Sequence, residues 1–298
     1  MPEPLITVGL PVYNAQATLA TAVTSIRAQT YTNWELLVID DGSTDGTTEV
    51  GAEAQRSDER VRFVRDGRHI GLPARLNELI ALANGELFAR MDADDVAYPR
   101  RLERQAAFLT DNPGVDLVGS AMVVLDGDGI VKGVRRGPLS HHDICAHPQW
   151  GFRLFHPTWT GRTAWFARHG YRPGYSEDQD ILLRAYRDSQ YANLPDVLLG
   201  YREPRDRRRY TIGRRRRFTG RVVRRMLGDG RPDLAVSAAL KMLVLGVTDM
   251  VAFALHVEER VLRQRAARAS AGEIAQWESL WHELGDGTRD GASSLQRV

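Results

Sequence analysis

The sequence predicts an α/β fold: a mainly parallel sheet flanked by helices, with a C-terminal helical extension. Three observations carry that prediction. Through the first hundred positions, short apolar runs alternate with apolar residues at helical spacing, the pattern of strands joined by crossover helices. Acidic and glycine-containing clusters follow those runs, where a parallel sheet places its ligand-facing loops. Beyond position 205 an arginine-rich stretch marks a boundary, and the remainder of the chain is helical in pattern. The expected organisation is a domain over 1–205, divided into halves at 1–112 and 113–205, followed by a helical extension over 206–298.

Leu5 to Leu10 forms a buried strand ended by Pro11, and Leu19, Val23 and Ile26 then put one apolar face on a helix. Glu35 to Ile39 forms a second strand, broken at Asp41-Gly42, and Ser43 is expected to cap the next helix. Val61 to Val64 is a third strand and Leu72 to Ala83 a helix. Glu86 to Met91 is a fourth strand that runs into Asp92-Ala93-Asp94-Asp95. Past Pro113, Val115 to Val118 and Met122 to Leu125 predict two strands. Asp126-Gly127-Asp128-Gly129 then turns the chain before Ile130 and Val131. Ser140 to Tyr175 is rich in His, Trp, Arg and Gly with little periodicity, so it predicts substrate-facing loops. Ser176-Glu177-Asp178-Gln179 has capping-box form and opens a helix carrying Ile181, Leu182 and Ala185. Val197 to Leu199 is a last strand, and Asp286 to Val298 predicts a frayed tail.

Composition narrows the possibilities. With 298 residues, 43% apolar and 26% charged, the chain can build one large or two modest globular domains. Cys145 is the only cysteine, which excludes an internal disulfide and a cysteine-based metal site. Met1-Pro2-Glu3-Pro4 enters the first strand without a basic segment or a long apolar run, so a cytoplasmic location is expected. The formal charge is only +2, yet twelve arginines face just Glu203 and Asp206 between Arg202 and Arg225. Arg207-Arg208-Arg209 and Arg214-Arg215-Arg216-Arg217 suit anionic lipid or a lipid diphosphate, or a solvated helix face. No motif supports nucleic-acid binding. Leu234 to Val257 raises the question of a membrane span. Lys241 and Asp249 would each cost ~2.5–3.5 kcal/mol at a bilayer centre, and the eleven Leu, Val and Phe residues return only ~3–7 kcal/mol. No span is therefore expected. Leu240, Leu243, Val244, Val247, Val251 and Leu255 are expected to pack on the preceding domain, with a membrane surface as the second possibility. That second possibility would make the protein peripheral at the inner face of the plasma membrane.

Three polar clusters sit at strand ends or a helix start. Asp92-x-Asp94 suits Mg²⁺ or Mn²⁺, hard cations that prefer oxygen and leave positions open for phosphate. The same residues also suit a solvated acidic turn, with Asp95 capping a helix. Asp41 can accept a hydrogen bond from a nucleobase or a ribose hydroxyl, or can belong to a plain Asp-Gly turn. Asp178, between Glu177 and Gln179, can act as a general base toward a hydroxyl, although acidic residues favour a helix N-terminus in any case. Asp41, Ser43, Asp45 and Gly46 imitate a calcium loop, but Ala52 stands where a bidentate glutamate is required.

Taken together, several segments resemble the family 2 glycosyltransferases. They are Val8-Gly9-Leu10-Pro11-Val12-Tyr13-Asn14, Ser25 to Tyr31, Trp34 to Asp45, Gly71 to Asn77, Met91 to Asp95 and Ser176 to Asp180. The resemblance runs from Leu5 to Arg202. It implies the GT-A fold, with a Rossmann-like sheet. It also implies transfer of a sugar from a nucleotide-diphosphate donor to an acceptor hydroxyl with inversion, in polysaccharide or glycolipid synthesis. By that resemblance Pro11, Tyr13 and Asp41 hold the nucleoside, Tyr13 by packing against the base. Asp92 and Asp94 form the family's D-x-D, binding donor and Mn²⁺ or Mg²⁺, with Asp94 the direct ligand. Asp178 is the base. His156-Pro157-Thr158 matches a further motif, in which His156 either meets phosphate or acceptor or is structural. Glu177 and Trp159 are further candidate contacts; Trp150, Trp159 and Trp165 can stack on sugar rings or pack the core. The implied partners are a nucleotide-diphosphate sugar and a glycan or lipid-linked acceptor. Two rivals stand beside this reading. Asp92-x-Asp94-x-Val96 fits the haloacid-dehalogenase phosphatase motif, although that nucleophile belongs on the first strand. The other rival is a non-catalytic nucleotide-sugar-binding scaffold.

Overall fold

Strand β1 (Ile6–Val12) is the centre of a parallel half-sheet, and all seven of its residues are buried. It pairs in parallel with β2 (Trp34–Asp40) and with β4 (Leu87–Arg90), and β2 pairs in parallel with β3 (Val61–Arg65). Helices α1 (Leu19–Arg27), α2 (Thr47–Ser57) and α3 (Leu72–Leu82) make the crossovers. This computed structural model describes residues 3–174, 176–203, 219–254 and 266–292, with 248–254 and 286–292 described by backbone alone.

The mainly parallel expectation holds for β3-β2-β1-β4 and gives way beyond it. Strand β8 (Thr160–Arg162) runs antiparallel to β4 and to β6 (Leu117–Leu125). Strand β9 (Tyr191–Arg202) is parallel to β6 and antiparallel to β5 (Val96–Ala97), and β7 (Val131–Arg135) pairs with β6. The result is a nine-stranded mixed sheet. The β6–β7 hairpin turns on Asp126, whose Oδ1 accepts from Asp128 N and Ile130 N, so no crossover helix is needed there.

Several local expectations are corrected. The two strands expected over 115–125 are one strand, β6, buried along its whole length. Ser43 does not cap α2: it is held by Asp40, and the helix starts after Gly46. The segment 140–175 is more ordered than its sequence suggests, containing α5 (His141–Ile144), β8 and α6 (Thr163–His169). Asp95 caps no helix. Its carboxylate is buried and accepts from Arg202 N, and α4 (Arg101–Asp111) begins after Arg100 instead. The capping box at α7 (Glu177–Ala185) is not made either. Ser176 gives no side-chain cap, and Gln179 exchanges hydrogen bonds with the Phe152 main chain.

The C-terminal helices are α8 (219–228), α9 (Pro232–Ala254) and α10 (Ala271–Ala292). Helix α10 covers 286–292, where a frayed tail was expected; 293–298 lie outside the described residues. Its Trp277, Leu280 and Leu284 pack with Val96, Tyr98, Val123 and Leu125 on the sheet. On α9 the expected docking face is reversed. Ala235 and Ala238 are buried in the core with Val222 and Met226, whereas Leu240, Leu243, Val244 and Val247 are about half exposed or more. The small alanines let the helix approach the Trp150 turn closely, and Trp150 Nε1 donates to Ser237 Oγ. The wide leucine–valine face is left outward. Val251 and Leu255 lie outside the described side chains, and Arg207–Arg209 and Arg214–Arg217 outside the described residues. No helix among the described residues is long and apolar enough to cross a membrane.

Candidate active site

The carboxyl ends of β1 and β2 are zipped together. Asn14, at a left-handed φ of 49°, receives Ser43 Oγ as acceptor for its N–H, and its own Oδ1 accepts from Thr44 N. Asparagine tolerates that conformation better than most residues. Pro11 is buried in β1 opposite Ile39, so it shapes the strand end, and Tyr13 projects beyond it, half exposed. The Tyr13 ring packs 4.4 Å from the His69 ring, forming an exposed aromatic ledge.

Asp41 builds the opposite side of that ledge. Its Oδ1 accepts from Ile70 N at 2.8 Å and from Arg75 Nε at 2.9 Å. Its Oδ2 accepts from Gly71 N at 3.0 Å and lies 3.0 Å from His69 Nδ1. Gly71 sits at φ 86°, a conformation a side chain would strain, which lets its N–H turn onto the carboxylate. The 69–71 loop and the first turn of α3 are thus folded around Asp41. A cleft of about 420 Å³ opens beside it, lined by Ile70, Gly71, Pro73, Asn77, Tyr171 and Glu177, among others.

Where β4 ends, Asp92, Asp94 and Asp95 bring carboxylate oxygens within 4.8 Å of one another. Burial, and then the charge of Asp92, push the Asp94 carboxyl up to about 6; burial and both neighbours push Asp95 well above its ordinary value. Crowded carboxylates of this kind suit a hard divalent cation, which takes oxygen ligands and relieves their repulsion. Two buried arginines lie beneath. Arg90 Nη1 donates to Asp92 Oδ2. Burial works against its charge, but Asp92 and Asp95 hold the guanidinium above its ordinary value. Arg101 donates to Arg90 O at 2.6 Å and to Pro157 O at 3.2 Å, tying the end of β4 to the His156–Thr158 turn. Burial pushes Arg101 down to about 10.

Tyr171, on the cleft wall, feels the charge of both acidic groups, Asp92 and the Glu177–Asp178 pair. Burial raises its hydroxyl well above the ordinary value, as do the charges of Glu177, Asp178 and Asp92, while Arg90 opposes them. All four charges therefore act on one side chain, although the aspartate cluster does not itself line the cleft. His156 is buried, with Nε2 2.9 Å from the Tyr171 hydroxyl and Nδ1 4.0 Å from Glu177 Oε1. Asp178 stands in the first turn of α7, two positions after Ser176, a non-glycine residue at φ 61°. Held strain of that kind clusters at functional sites. Asp180 is paired instead with Arg184 at 3.0 Å. Trp159 is fully buried, its ring 4.6 Å from that of His156, so it packs the core rather than a cleft surface. Trp165 is buried too, while Trp150 is exposed.

Arg90, Arg101, Asn77 and Tyr171 were not singled out from sequence. Arg90 left one signal, a charged residue inside an otherwise apolar strand pattern.

Parallel strands ending in these acidic loops, joined to an antiparallel second half, define the GT-A class of fold. The chain belongs to glycosyl transferase family 2, whose sequence profile matches residues 7–168. It is 36% identical over 211 residues to EpsE of Bacillus subtilis (strain 168), assigned as a glycosyltransferase; that match covers 68% of this chain and 74% of EpsE. Over 144 residues it is 34% identical to the UDP-Glc:α-D-GlcNAc-diphosphoundecaprenol β-1,3-glucosyltransferase WfgD of Escherichia coli, covering 48% of this chain and 56% of WfgD. The fold is similar to the mannosyltransferase PcManGT of Pyrobaculum calidifontis in complex with GDP-Man and Mn²⁺. That likeness has a TM-score of 0.58 at 18% identity and covers 94% of this chain and 87% of PcManGT. The phosphatase rival loses its footing, since the D-x-D follows the fourth strand rather than the first.

Proposed function

We propose that the protein transfers a sugar from a nucleotide-diphosphate donor to an acceptor hydroxyl, with inversion, in the synthesis of a polysaccharide or glycolipid. The observation that carries this reading is the cluster of Asp92, Asp94 and Asp95 at the carboxyl end of β4, whose carboxylate oxygens lie within 4.8 Å of one another. The catalytic unit is 1–205, with 206–298 as an appended helical extension.

In this reading Asp92 and Asp94 hold Mn²⁺ or Mg²⁺, with Asp94 the direct ligand. The bound cation would neutralise the departing diphosphate. The ledge of Tyr13 and His69 receives the base. Pro11, near the end of β1, and Asp41, just past the end of β2, support the nucleoside from below; a hydrogen bond from the nucleoside to Asp41 would replace the one from His69. Asp178 takes the proton of the attacking hydroxyl, and a single displacement at the anomeric carbon gives inversion. Glu177 and His156 orient the acceptor side. The GDP-Man and Mn²⁺ of PcManGT, and the donor and lipid-linked acceptor in WfgD's name, support the donor class, the cation and a glycan or lipid-linked acceptor. Exposed Val236, Leu240, Leu243 and Val247, together with the twelve arginines between positions 202 and 225 of the sequence, support peripheral contact with an anionic membrane on the cytoplasmic side. Absence of co-pelleting with anionic liposomes at low salt would remove that contact.

The test is a panel of nucleotide-sugars with Mn²⁺ and Mg²⁺, screened by thermal shift and then by donor turnover. Asp94→Ala should lose cation-dependent donor binding. Asp178→Asn should bind donor and fail to transfer. Unchanged turnover in Asp178→Asn contradicts the base assignment, and binding without any turnover in the wild type would return the scaffold reading.

A further inference from the structure

Asp92 already holds a cation of the protein's own, because Arg90 Nη1 donates to its Oδ2. The Arg90 side chain is only 4% exposed and has no ready way to withdraw. Its main chain is fixed on both sides, with the N–H donating to Trp159 O at 2.9 Å and the carbonyl accepting from Arg101 Nη2 at 2.6 Å. Its Nε finds no acceptor among the described residues.

We infer that Arg90 is a positioning residue, a latch on Asp92 that makes divalent-cation binding depend on a nucleoside diphosphate. The inference rests on the cation site proposed above. A divalent ion arriving alone competes with a fixed guanidinium for Asp92 and meets a like charge at close range. Arg90 is buried and Asp92 is 23% exposed, so solvent and salt screen that competition less than they would between two surface charges. A diphosphate arriving with the ion changes the balance. It adds negative charge, and its oxygens fill coordination positions that the latched Asp92 does not supply. The cluster therefore discriminates against a bare cation and accepts one delivered with nucleotide.

The experiment is a titration of Mn²⁺ on the purified full-length chain, followed by electron paramagnetic resonance, alone and with UDP, GDP or dTDP. Wild type should bind Mn²⁺ at least about tenfold more tightly with its nucleotide than without. Arg90→Gln and the length-matched Arg90→Met should bind Mn²⁺ alone about tenfold more tightly than wild type, with the nucleotide effect reduced. A merely structural role would weaken cation binding, never strengthen it. Equal or weaker Mn²⁺ binding by a folded variant overturns the latch. So does wild-type affinity that is the same with and without nucleotide, a result that needs no variant. Failure of Mn²⁺ to bind under any of these conditions instead removes the cation site itself, and the latch with it.

Discussion

Asn77 grips the Tyr171 main chain from both sides: its Nδ2 donates to Tyr171 O at 2.8 Å, and Tyr171 N donates to its Oδ1 at 2.8 Å. Asn77 belongs to α3 and Tyr171 to the loop before α7, so this pair ties together the two walls of the cleft. A side-chain amide carries its donor and its acceptor on separate atoms, which lets one residue satisfy both main-chain groups.

Asn77→Ala should therefore loosen the cleft. It leaves a main-chain N–H and carbonyl without their partner, at a cost of about 1–3 kcal/mol in urea unfolding. Asn77→Asp keeps the acceptor and should fall between wild type and alanine. With a donor in hand, KM should rise more than kcat falls, because the residue shapes the cleft without touching reacting atoms. Unchanged stability and KM would show that the walls are held together elsewhere.

A second expectation concerns α10. Trp277 is 1% exposed, its Nε1 donates to Gly129 O at 2.8 Å, and a Cβ at Gly200 would stand 2.4 Å from its ring. Trp277→Ala should cost about 3–5 kcal/mol, and Gly200→Ala about 1–3 kcal/mol through overpacking. Both should expose the C-terminal residues to limited proteolysis. If the main unfolding transition stays put in both variants, α10 is not part of the cooperative unit.

The parallel half of the fold was legible because its strands are largely apolar runs and two of them end at Asp41-Gly42 and Asp92, each a local signal; Pro11, expected to end the first strand, lies inside β1 and is paired with Ile39. The second half was not, because its pairing is non-local. Thr160–Arg162 becomes a strand only through β4 and β6 on either side of it. The docking face of α9 is reversed because amphipathic spacing identifies the apolar face and cannot say which side the core will accept. Here two alanines win through close approach. Of the candidate site residues, Asp41, Asp92, Asp94 and Asp178 stood out in the sequence by type and place. Their supports did not: Arg90, Arg101 and Tyr171 act through burial, which a single sequence does not display.

Cys145 offers a test of burial with a chemical readout. Burial pushes its thiol up to about 12. His141 Nδ1 lies 3.8 Å from Sγ, but burial lowers the pKa of that imidazole, so it stays neutral and gives the thiolate no countercharge. Disulfide exchange proceeds through the thiolate. At pH 8 the native thiol should react with Ellman's reagent more than about a hundredfold more slowly than the same thiol in urea. Because the pKa lies far above the range, the native rate should climb with pH from 7 to 9 without a plateau. A plateau near pH 8.5 would mean an ordinary, accessible thiol.

Glu103 should shape the acid limb of stability. Arg100 and then the Thr30 hydroxyl hold its carboxyl down to about 2, with donor distances of 2.7 Å from each. A lowered folded-state pKa means that the unfolded chain takes up the proton first as pH falls, so the ionised carboxylate favours the folded state. That contribution is complete above the unfolded value of about 4.3, fades as pH drops toward about 2, and is gone below it. Urea unfolding of wild type and Glu103→Gln across this window should show a gap that is level at pH 6 and closes through the acid range. The side chain is 39% exposed, so the gap should be modest and should shrink further in high salt. A gap that widens as pH falls would reverse the sign of the coupling and place the stabilising form on the protonated side.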